Sequence, residues 1–190
     1  ILIDNRTDKV LYGKNENEKM YPASTTKIMT AILALENSNL DDKVVASYDA
    51  VMNVPDGYSI ANIQVGEELT IEQLLEMLLV HSANDAANVL AENIGGSIDS
   101  FVSMMNTKCN ELGLLGTHFA NAYGLHDENH YTTASDLAKL MQYSLKNEDF
   151  RRLAGLATCS IPQTNMSAPR SYSSTNEMII PGNEYYYQYI

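Results

Sequence analysis

The sequence predicts an α+β fold, in which a cluster of helices packs against antiparallel strands. A chain of 190 residues with 45% hydrophobic residues fits one globular domain that buries a sizeable core. The predicted elements run from strands through a helical cluster and back to strands, and the chain shows neither an internal repeat nor a sustained heptad pattern. We therefore expect residues 1–190 to form a single domain.

The chain begins with a predicted hairpin that leads into a core helix. Apolar and polar residues alternate around Asn5–Lys9, which predicts strands over Ile1–Asp4 and Val10–Tyr12. Because a strand is predicted directly at the first residue, we expect the N-terminus to be trimmed. The next helix is expected to start at Ser24, because the residues after it are apolar on nearly all sides, as in a helix buried within a domain.

The middle of the chain is predicted to be irregular at first and helical afterwards. Residues 40–69 are rich in turn signals. Thr70 and Gln73 then form a capping-box pattern ahead of an amphipathic helix that should end near His81. A further helix is predicted over Asp85–Ile94, where Gly95 and Gly96 follow.

The last part of the chain continues with helices and returns to strands. Ser97–Leu112 is a predicted helix ended by Gly113, because glycine adopts a left-handed cap most easily. Asn121–Tyr131 is a predicted loop. Thr133 is expected to cap a helix, with a short helix after it, and strand or loop returns beyond Thr158. A terminal strand is predicted from four tyrosines, since tyrosine is favoured in strands: Tyr185, Tyr186, Tyr187 and Tyr189.

Charge and composition exclude some classes of partner. The formal net charge of −12 argues against nucleic acid, because neutralising phosphates requires clustered Lys and Arg side chains. No apolar run reaches the roughly 18 residues of a membrane-spanning helix. Sequence alone leaves a disulfide between Cys109 and Cys159 open, and we expect two free, buried thiols.

The most informative local pattern is a serine and a lysine three residues apart, Ser24 and Lys27, at the start of the buried helix. Residues three apart lie on one face of a helix. A serine hydroxyl needs a base to become a nucleophile, and burial lowers the pKa of a lysine so that it can act as that base. Taken alone, the same spacing also fits an ordinary N-cap serine.

A second polar segment, His81-Ser82-Ala83-Asn84-Asp85, falls in the break between two predicted helices. There its side chains can project into a cleft, although Ser82 or Asn84 could equally cap a helix. Ser-x-x-Lys, Ser-Asp-Asn and Lys-Thr-Gly together mark β-lactamases and penicillin-binding proteins. Ala83 stands here where that set has aspartate.

With these two motifs, the chain resembles the serine-type D-alanyl-D-alanine carboxypeptidases, the low-molecular-mass penicillin-binding proteins. The resemblance covers almost the whole length, in the family's order and approximate spacing. It is carried by Val10-Leu11-Tyr12, the run Pro22 to Ala31, Ser82-Ala83-Asn84-Asp85-Ala86-Ala87, Asn121-x-x-Gly124-Leu125 and the run His130 to Ala138. It implies a penicillin-binding-protein/β-lactamase-like fold.

The resemblance also implies a role for each motif residue. Ser24 would attack the carbonyl of the penultimate D-alanine in a peptidoglycan stem peptide, and Lys27 would take its proton. Ser82 would relay a proton to the leaving D-alanine, and Asn84 would bind the substrate's backbone amide. Penicillins and other β-lactams would acylate the same serine. The family acts outside the cytoplasm, in the bacterial cell envelope, and often carries a C-terminal membrane anchor.

The chain departs from the family in having no Lys-Thr-Gly triad. In the family that triad lies on a strand beside the cleft and binds the terminal carboxylate of the substrate. The chain stops at Ile190, about where the triad is expected next. We therefore expect a truncated catalytic domain, incomplete as an enzyme, and membrane contact only through an anchor beyond Ile190.

Several alternatives stay open at this point. A β-lactamase of the same fold would need a glutamate-activated water, and no Glu-x-x-Leu-Asn-type segment follows Asn84. A non-catalytic binding domain or an inactive fragment is compatible with the missing triad. His126 and His130 are four residues apart in a predicted loop, not on a helix, so we expect no metal, and the chemistry requires no cofactor. His81 is expected to be a structural neighbour of the cleft.

Overall fold

The helix predicted to be buried lies at the centre of the fold. The computed structural model describes residues 1–186, and in it helix α1 (Lys27–Asn37) packs against later helices on several sides. Side chains from Met29 to Ala34 have almost no exposed surface. The prediction of a core helix is confirmed, but its first turn is a separate 3-10 turn over Ala23–Thr26.

Six further helices and six short strands complete the described part. The helices are α2 (Tyr48–Met52), α3 (Ile71–Val80), α4 (Asn84–Gly95), α5 (Ile98–Leu112), α6 (Ala134–Ser144) and α7 (Glu148–Ala154), with a 3-10 turn over Glu177–Ile179. The strands are β1 (Leu2–Asp4), β2 (Lys9–Tyr12), β3 (Lys43–Val45), β4 (Glu68–Thr70), β5 (Thr158–Ile161) and β6 (Arg170–Ser173).

The predicted helix ends are confirmed because they depend on local chemistry. The Thr70 side chain accepts a hydrogen bond from the Gln73 N–H, and the Gln73 side chain accepts one from the Thr70 N–H, which is a complete capping box at the start of α3. Thr133 caps α6, and Gly113 ends α5 with a φ of +66°. The sequence did not predict α2, whose five residues bury only Ala50.

The strands pair antiparallel, in agreement with the predicted fold class, but they form three separate two-stranded ladders. β1 pairs with β2, β3 with β4, and β5 with β6. The strand predicted at the terminal tyrosines is wrong where it can be compared: Tyr185 lies in a turn and Tyr186 follows it. Tyr187 and Tyr189 lie outside the described residues.

The core has two parts, one on each side of α1. One part collects apolar side chains from α3, α4 and α7, including Leu74, Leu78 and Phe150. The other is formed with α5 and α6 and contains Phe101 and Phe119. Cys109 and Cys159 are both free and buried, as expected. Within residues 1–186, every helix is too short or too polar to cross a lipid bilayer.

A buried ion pair joins the segment before β4 to strand β6. The Glu67 side chain has no exposed surface and lies 2.8 Å from Nη1 of Arg170. It also accepts hydrogen bonds from the Gln64 N–H and the Thr164 hydroxyl. Burial alone would raise the pKa of Glu67, but these donors and the Arg170 charge outweigh burial and hold the pKa below its ordinary value. Glu67 is therefore ionised, and its charge depends on Arg170.

We predict that Arg170→Met lowers the free energy of unfolding by about 3–5 kcal/mol, because it leaves a buried carboxylate without its cation. The double variant Glu67→Gln/Arg170→Met should recover part of that loss, since no charge then remains buried. Urea unfolding at neutral pH measures both. As a matched control, Arg152→Met breaks a half-exposed pair with Glu72 and should cost less than about 1 kcal/mol. Equal losses for Arg170→Met and Arg152→Met would contradict the prediction.

Candidate active site

Ser24 and Lys27 meet at the N-terminal end of α1. Ser24 lies in the 3-10 turn before the helix, and Lys27 is the first residue of the helix proper. The Lys27 amine is 3.3 Å from the Ser24 hydroxyl oxygen and donates a hydrogen bond to the Tyr123 carbonyl at 2.9 Å. The structure therefore brings the predicted pair together. The Tyr123 carbonyl, which the sequence did not predict as part of the site, is the second hydrogen-bond partner of the amine.

The amine of Lys27 is held away from water. The residue is 3% exposed, and within the described chain no carboxylate lies close enough to form a salt bridge with it. Burial lowers the pKa of Lys27 from its ordinary value to about 8. A substantial fraction of this lysine is therefore neutral near physiological pH and can accept a proton.

The backbone around Ser24 is unusual because a loop glycine lies against it. Ala23 has a φ of +48°, which is uncommon for a residue with a Cβ atom. Gly124 faces it with a φ of +99°, and a Cβ atom at Gly124 would lie 1.9 Å from the Ala23 carbonyl oxygen. Only glycine allows this approach, so residue 124 helps to fix the turn that carries Ser24.

Ser82 lies in the same cleft as the serine and lysine. It follows the end of α3, and its φ of +59° places it in the left-handed region. The cleft has a volume of about 360 Å³. Its walls come from α1, α3, the segment before α4, α7 and the stretch after β6, and they are lined by Ser24, Thr25, Lys27, Ile28, Leu78, Leu79, Ser82, Ala154, Ser174, Thr175 and Asn176.

Asn84 is placed differently from the other motif residues. It is 4% exposed and is absent from the cleft lining described above. Its N–H donates to the Ser59 carbonyl, and its side-chain oxygen is buried without a hydrogen-bond partner among the described residues. Asn84 is the first residue of α4 and follows Ser82 by two positions, and its role in binding the substrate stays a prediction.

The two loop histidines have separate environments. The His126 ring packs edge-on against Tyr21, and their ring centres are 4.4 Å apart. His130 is buried and contacts the Thr26 hydroxyl through Nε2 at 2.7 Å. Among residues 1–186, no three His, Cys, Asp or Glu side chains are grouped as ligands for a metal ion. His81 packs on the Tyr172 ring, close to the Ser82 end of the cleft.

This geometry suits acyl transfer through a serine ester. A neutral amine beside a hydroxyl can remove its proton as the oxygen attacks a carbonyl carbon. The second hydroxyl, from Ser82, lies in the same cleft, where a proton can be passed to a leaving group. The stretch after β6 also lines this cleft, with the polar residues Ser174, Thr175 and Asn176.

The sequence is similar to those of known D-alanyl-D-alanine carboxypeptidases. The sequence profile described as D-alanyl-D-alanine carboxypeptidase matches residues 1–185. The chain is 41% identical over 159 residues to the D-alanyl-D-alanine carboxypeptidase DacF of Bacillus subtilis (strain 168), covering 82% of this chain and 40% of that protein. It is 38% identical over 161 residues to the D-alanyl-D-alanine carboxypeptidase of Streptomyces sp. (strain K15), covering 78% of this chain and 54% of that protein.

A comparison of three-dimensional structures also relates the chain to DD-peptidases. The crystal structure of the Streptomyces K15 DD-transpeptidase superimposes with a TM-score of 0.87 at 32% identity, covering 93% of this chain and 72% of that one. The chain thus spans 40% and 54% of the lengths of the two carboxypeptidases named above. On both sequence and fold, it belongs to the D-alanyl-D-alanine carboxypeptidase family.

Proposed function

We propose that the protein carrying this chain is a serine DD-carboxypeptidase that removes the terminal D-alanine from peptidoglycan stem peptides. The observation that supports this most strongly is the buried Lys27 amine, 3.3 Å from the Ser24 oxygen and with its pKa lowered to about 8. A surface lysine would remain charged and could not take a proton from serine. Family membership supplies the substrate class, a peptide ending in D-Ala-D-Ala.

The reaction proceeds in two steps. The Ser24 oxygen attacks the carbonyl carbon of the penultimate D-alanine while Lys27 takes the hydroxyl proton. The peptide C–N bond then breaks, Ser82 passes its proton to the leaving nitrogen of the terminal D-alanine and takes one back from Lys27, and an ester of Ser24 remains. Water cleaves the ester and restores the hydroxyl. Asn84, at the start of α4 and two residues after Ser82, is proposed to hydrogen-bond the substrate's backbone amide.

The same centre is proposed to react with β-lactams, which mimic the terminal dipeptide and leave a stable ester on Ser24. The substrate is a component of the cell wall, so the enzyme is proposed to act outside the cytoplasm, in the bacterial cell envelope. These proposals follow from the family and from the geometry of Ser24, Lys27 and Ser82 together.

Transfer to an amine instead of water is a second candidate outcome. It is favoured by the similarity to the Streptomyces K15 protein, which is described as a DD-transpeptidase. Both outcomes share the Ser24 ester and differ only in what attacks it. Incubating a D-Ala-D-Ala peptide with and without added glycine, and separating the products by chromatography, distinguishes hydrolysis from transfer.

We predict that a fluorescent penicillin labels the protein covalently at Ser24 and that Ser24→Ala abolishes the label while the fold remains intact. Peptide mass spectrometry locates the adduct, and circular dichroism monitors the fold. Ser82→Ala is the matched control. It keeps Ser24 and Lys27, so labelling should continue at a rate reduced by about 10²–10⁴-fold. Labelling that survives in Ser24→Ala would show that another residue is the nucleophile.

We also predict that acylation depends on pH through Lys27. Only the neutral amine accepts the proton, so the rate constant for penicillin acylation should rise about tenfold per pH unit below pH 8 and level off above it. Stopped-flow or gel measurements between pH 6 and about 9.5 test this, with Ser24→Ala as the background.

Lys27→Arg supplies the control for charge. Arginine stays protonated throughout this pH range, so the variant should lose acylation at every pH. A wild-type profile that is flat from pH 6 to about 9.5 would contradict the role of Lys27 as the base.

A further inference from the structure

His130 connects a distant loop to the turn that carries Ser24 and Lys27. The Ala120 N–H donates to Nδ1 of His130 at 3.0 Å. A backbone N–H can only donate, so Nδ1 is the unprotonated nitrogen of the ring. The proton of the neutral ring is therefore on Nε2, which donates to the Thr26 hydroxyl oxygen at 2.7 Å. The two contacts together fix both the tautomer and the direction of the hydrogen bond to Thr26.

The surroundings of His130 keep the ring neutral. The residue is 1% exposed, and the Phe119 ring packs edge-on against it, with ring centres 5.6 Å apart. Burial lowers the pKa of His130 to about 4, against the opposing charge of Asp127, while His118 acts in the same direction as burial. At neutral pH the ring is thus a permanent donor to Thr26 and a permanent acceptor for Ala120.

Thr26 is well placed to transmit this contact. It is fully buried and directly precedes Lys27. One helical turn later, Thr30 donates to the Ala122 carbonyl at 2.5 Å, and Lys27 donates to the neighbouring Tyr123 carbonyl. Three hydrogen bonds therefore join the first turns of α1 to the segment 120–130. Of the three, the one from His130 is made to the residue of α1's first turns that lies nearest to Ser24 in sequence.

We propose that His130 is a positioning residue, which holds Thr26 through Nε2–H and thereby keeps the Lys27 amine buried beside Ser24. It touches no reacting atom and acts only through Thr26. This proposal rests on the proposed function, because it assigns His130 to the acylation of Ser24. The contact between His130 and Thr26 spans 104 positions of sequence, so it also fixes the loop relative to the nucleophile.

Two uncharged variants separate the two contacts of the ring. The amide nitrogen of His130→Gln lies about as far from the backbone as Nε2, so this variant keeps the donor to Thr26. The shorter His130→Asn places its oxygen near Nδ1, so it keeps the acceptor for Ala120 and loses the contact with Thr26. Each variant loses one hydrogen bond, and we expect both to be destabilised to a similar extent.

The acylation rate should distinguish the two variants. A displacement of about 1 Å at a catalytic group costs up to about 100-fold in rate. We therefore expect penicillin acylation to fall by about 10- to 100-fold in His130→Asn and to remain within about threefold of wild type in His130→Gln. Thr26→Val, which removes the acceptor, should behave like His130→Asn, and Thr26→Ser, which keeps it, like wild type.

A second measurement does not depend on activity. The pKa of Lys27, followed by NMR of its side-chain ¹³Cε and ¹⁵Nζ atoms, should rise by about one unit or more toward its ordinary value in His130→Asn and Thr26→Val, because the amine gains access to water. It should stay near that of wild type in His130→Gln and Thr26→Ser.

The outcomes separate this proposal from the proposed function. If wild-type protein is not acylated at Ser24, the proposed function fails, and the Lys27 pKa still decides whether His130 positions the amine. If all four variants fold and share the wild-type Lys27 pKa, the positioning role is overturned. Slow acylation in His130→Gln together with normal acylation in His130→Asn would also overturn it, because the contact with Ala120 would then be the important one.

Discussion

The site depends on a lysine amine kept away from both water and carboxylates. Among residues 1–186, Lys27 has two polar contacts, the Ser24 oxygen and the Tyr123 carbonyl, and neither carries a negative charge that would stabilise the ammonium form. Its pKa falls to about 8 because burial disfavours the charge. The fold supports this by surrounding α1 with apolar side chains on both sides, in the two parts of the core. A site of this type therefore requires a helix that is buried almost all round.

The second hydroxyl of the site, that of Ser82, lies in the break between α3 and α4, and hydrogen bonds to another segment of the chain stabilise this break. Ser82 adopts a left-handed backbone, which costs energy for a residue with a Cβ atom and persists only when its neighbours hold it. The neighbouring Asp85 does so by accepting hydrogen bonds from the N–H groups of Ala61 and Ile63. Burial raises the pKa of Asp85, while these same N–H groups oppose the rise. The segment around residue 61 thus fastens the start of α4, directly after Ser82.

The sequence predicted the parts of the site that depend on near neighbours. Ser24 and Lys27 are three residues apart at a helix start, so their meeting follows from helix geometry. The caps at Thr70 and Thr133 likewise depend on residues three positions away. The Tyr123 carbonyl could not be predicted in this way, because every residue has a carbonyl and only the fold decides which one faces the amine.

Contacts between distant segments could not be predicted from the sequence, because only the tertiary fold decides which groups meet. Such contacts connect the loop 118–131 to the site. The sequence pattern predicts only that His130 lies in a loop without a metal, whereas its contact with Thr26 depends on the tertiary fold. Gly124 was part of a family motif, and the structure shows why it must be glycine: a Cβ atom would overlap the Ala23 carbonyl directly before the nucleophile. Tyr123 and Gly124 are adjacent in one loop. Gly124 limits the position of the Ser24 turn, and the Tyr123 carbonyl accepts a hydrogen bond from the Lys27 amine. The loop therefore contacts both the turn that carries the nucleophile and the amine of the base, and it is as much a part of the site as α1.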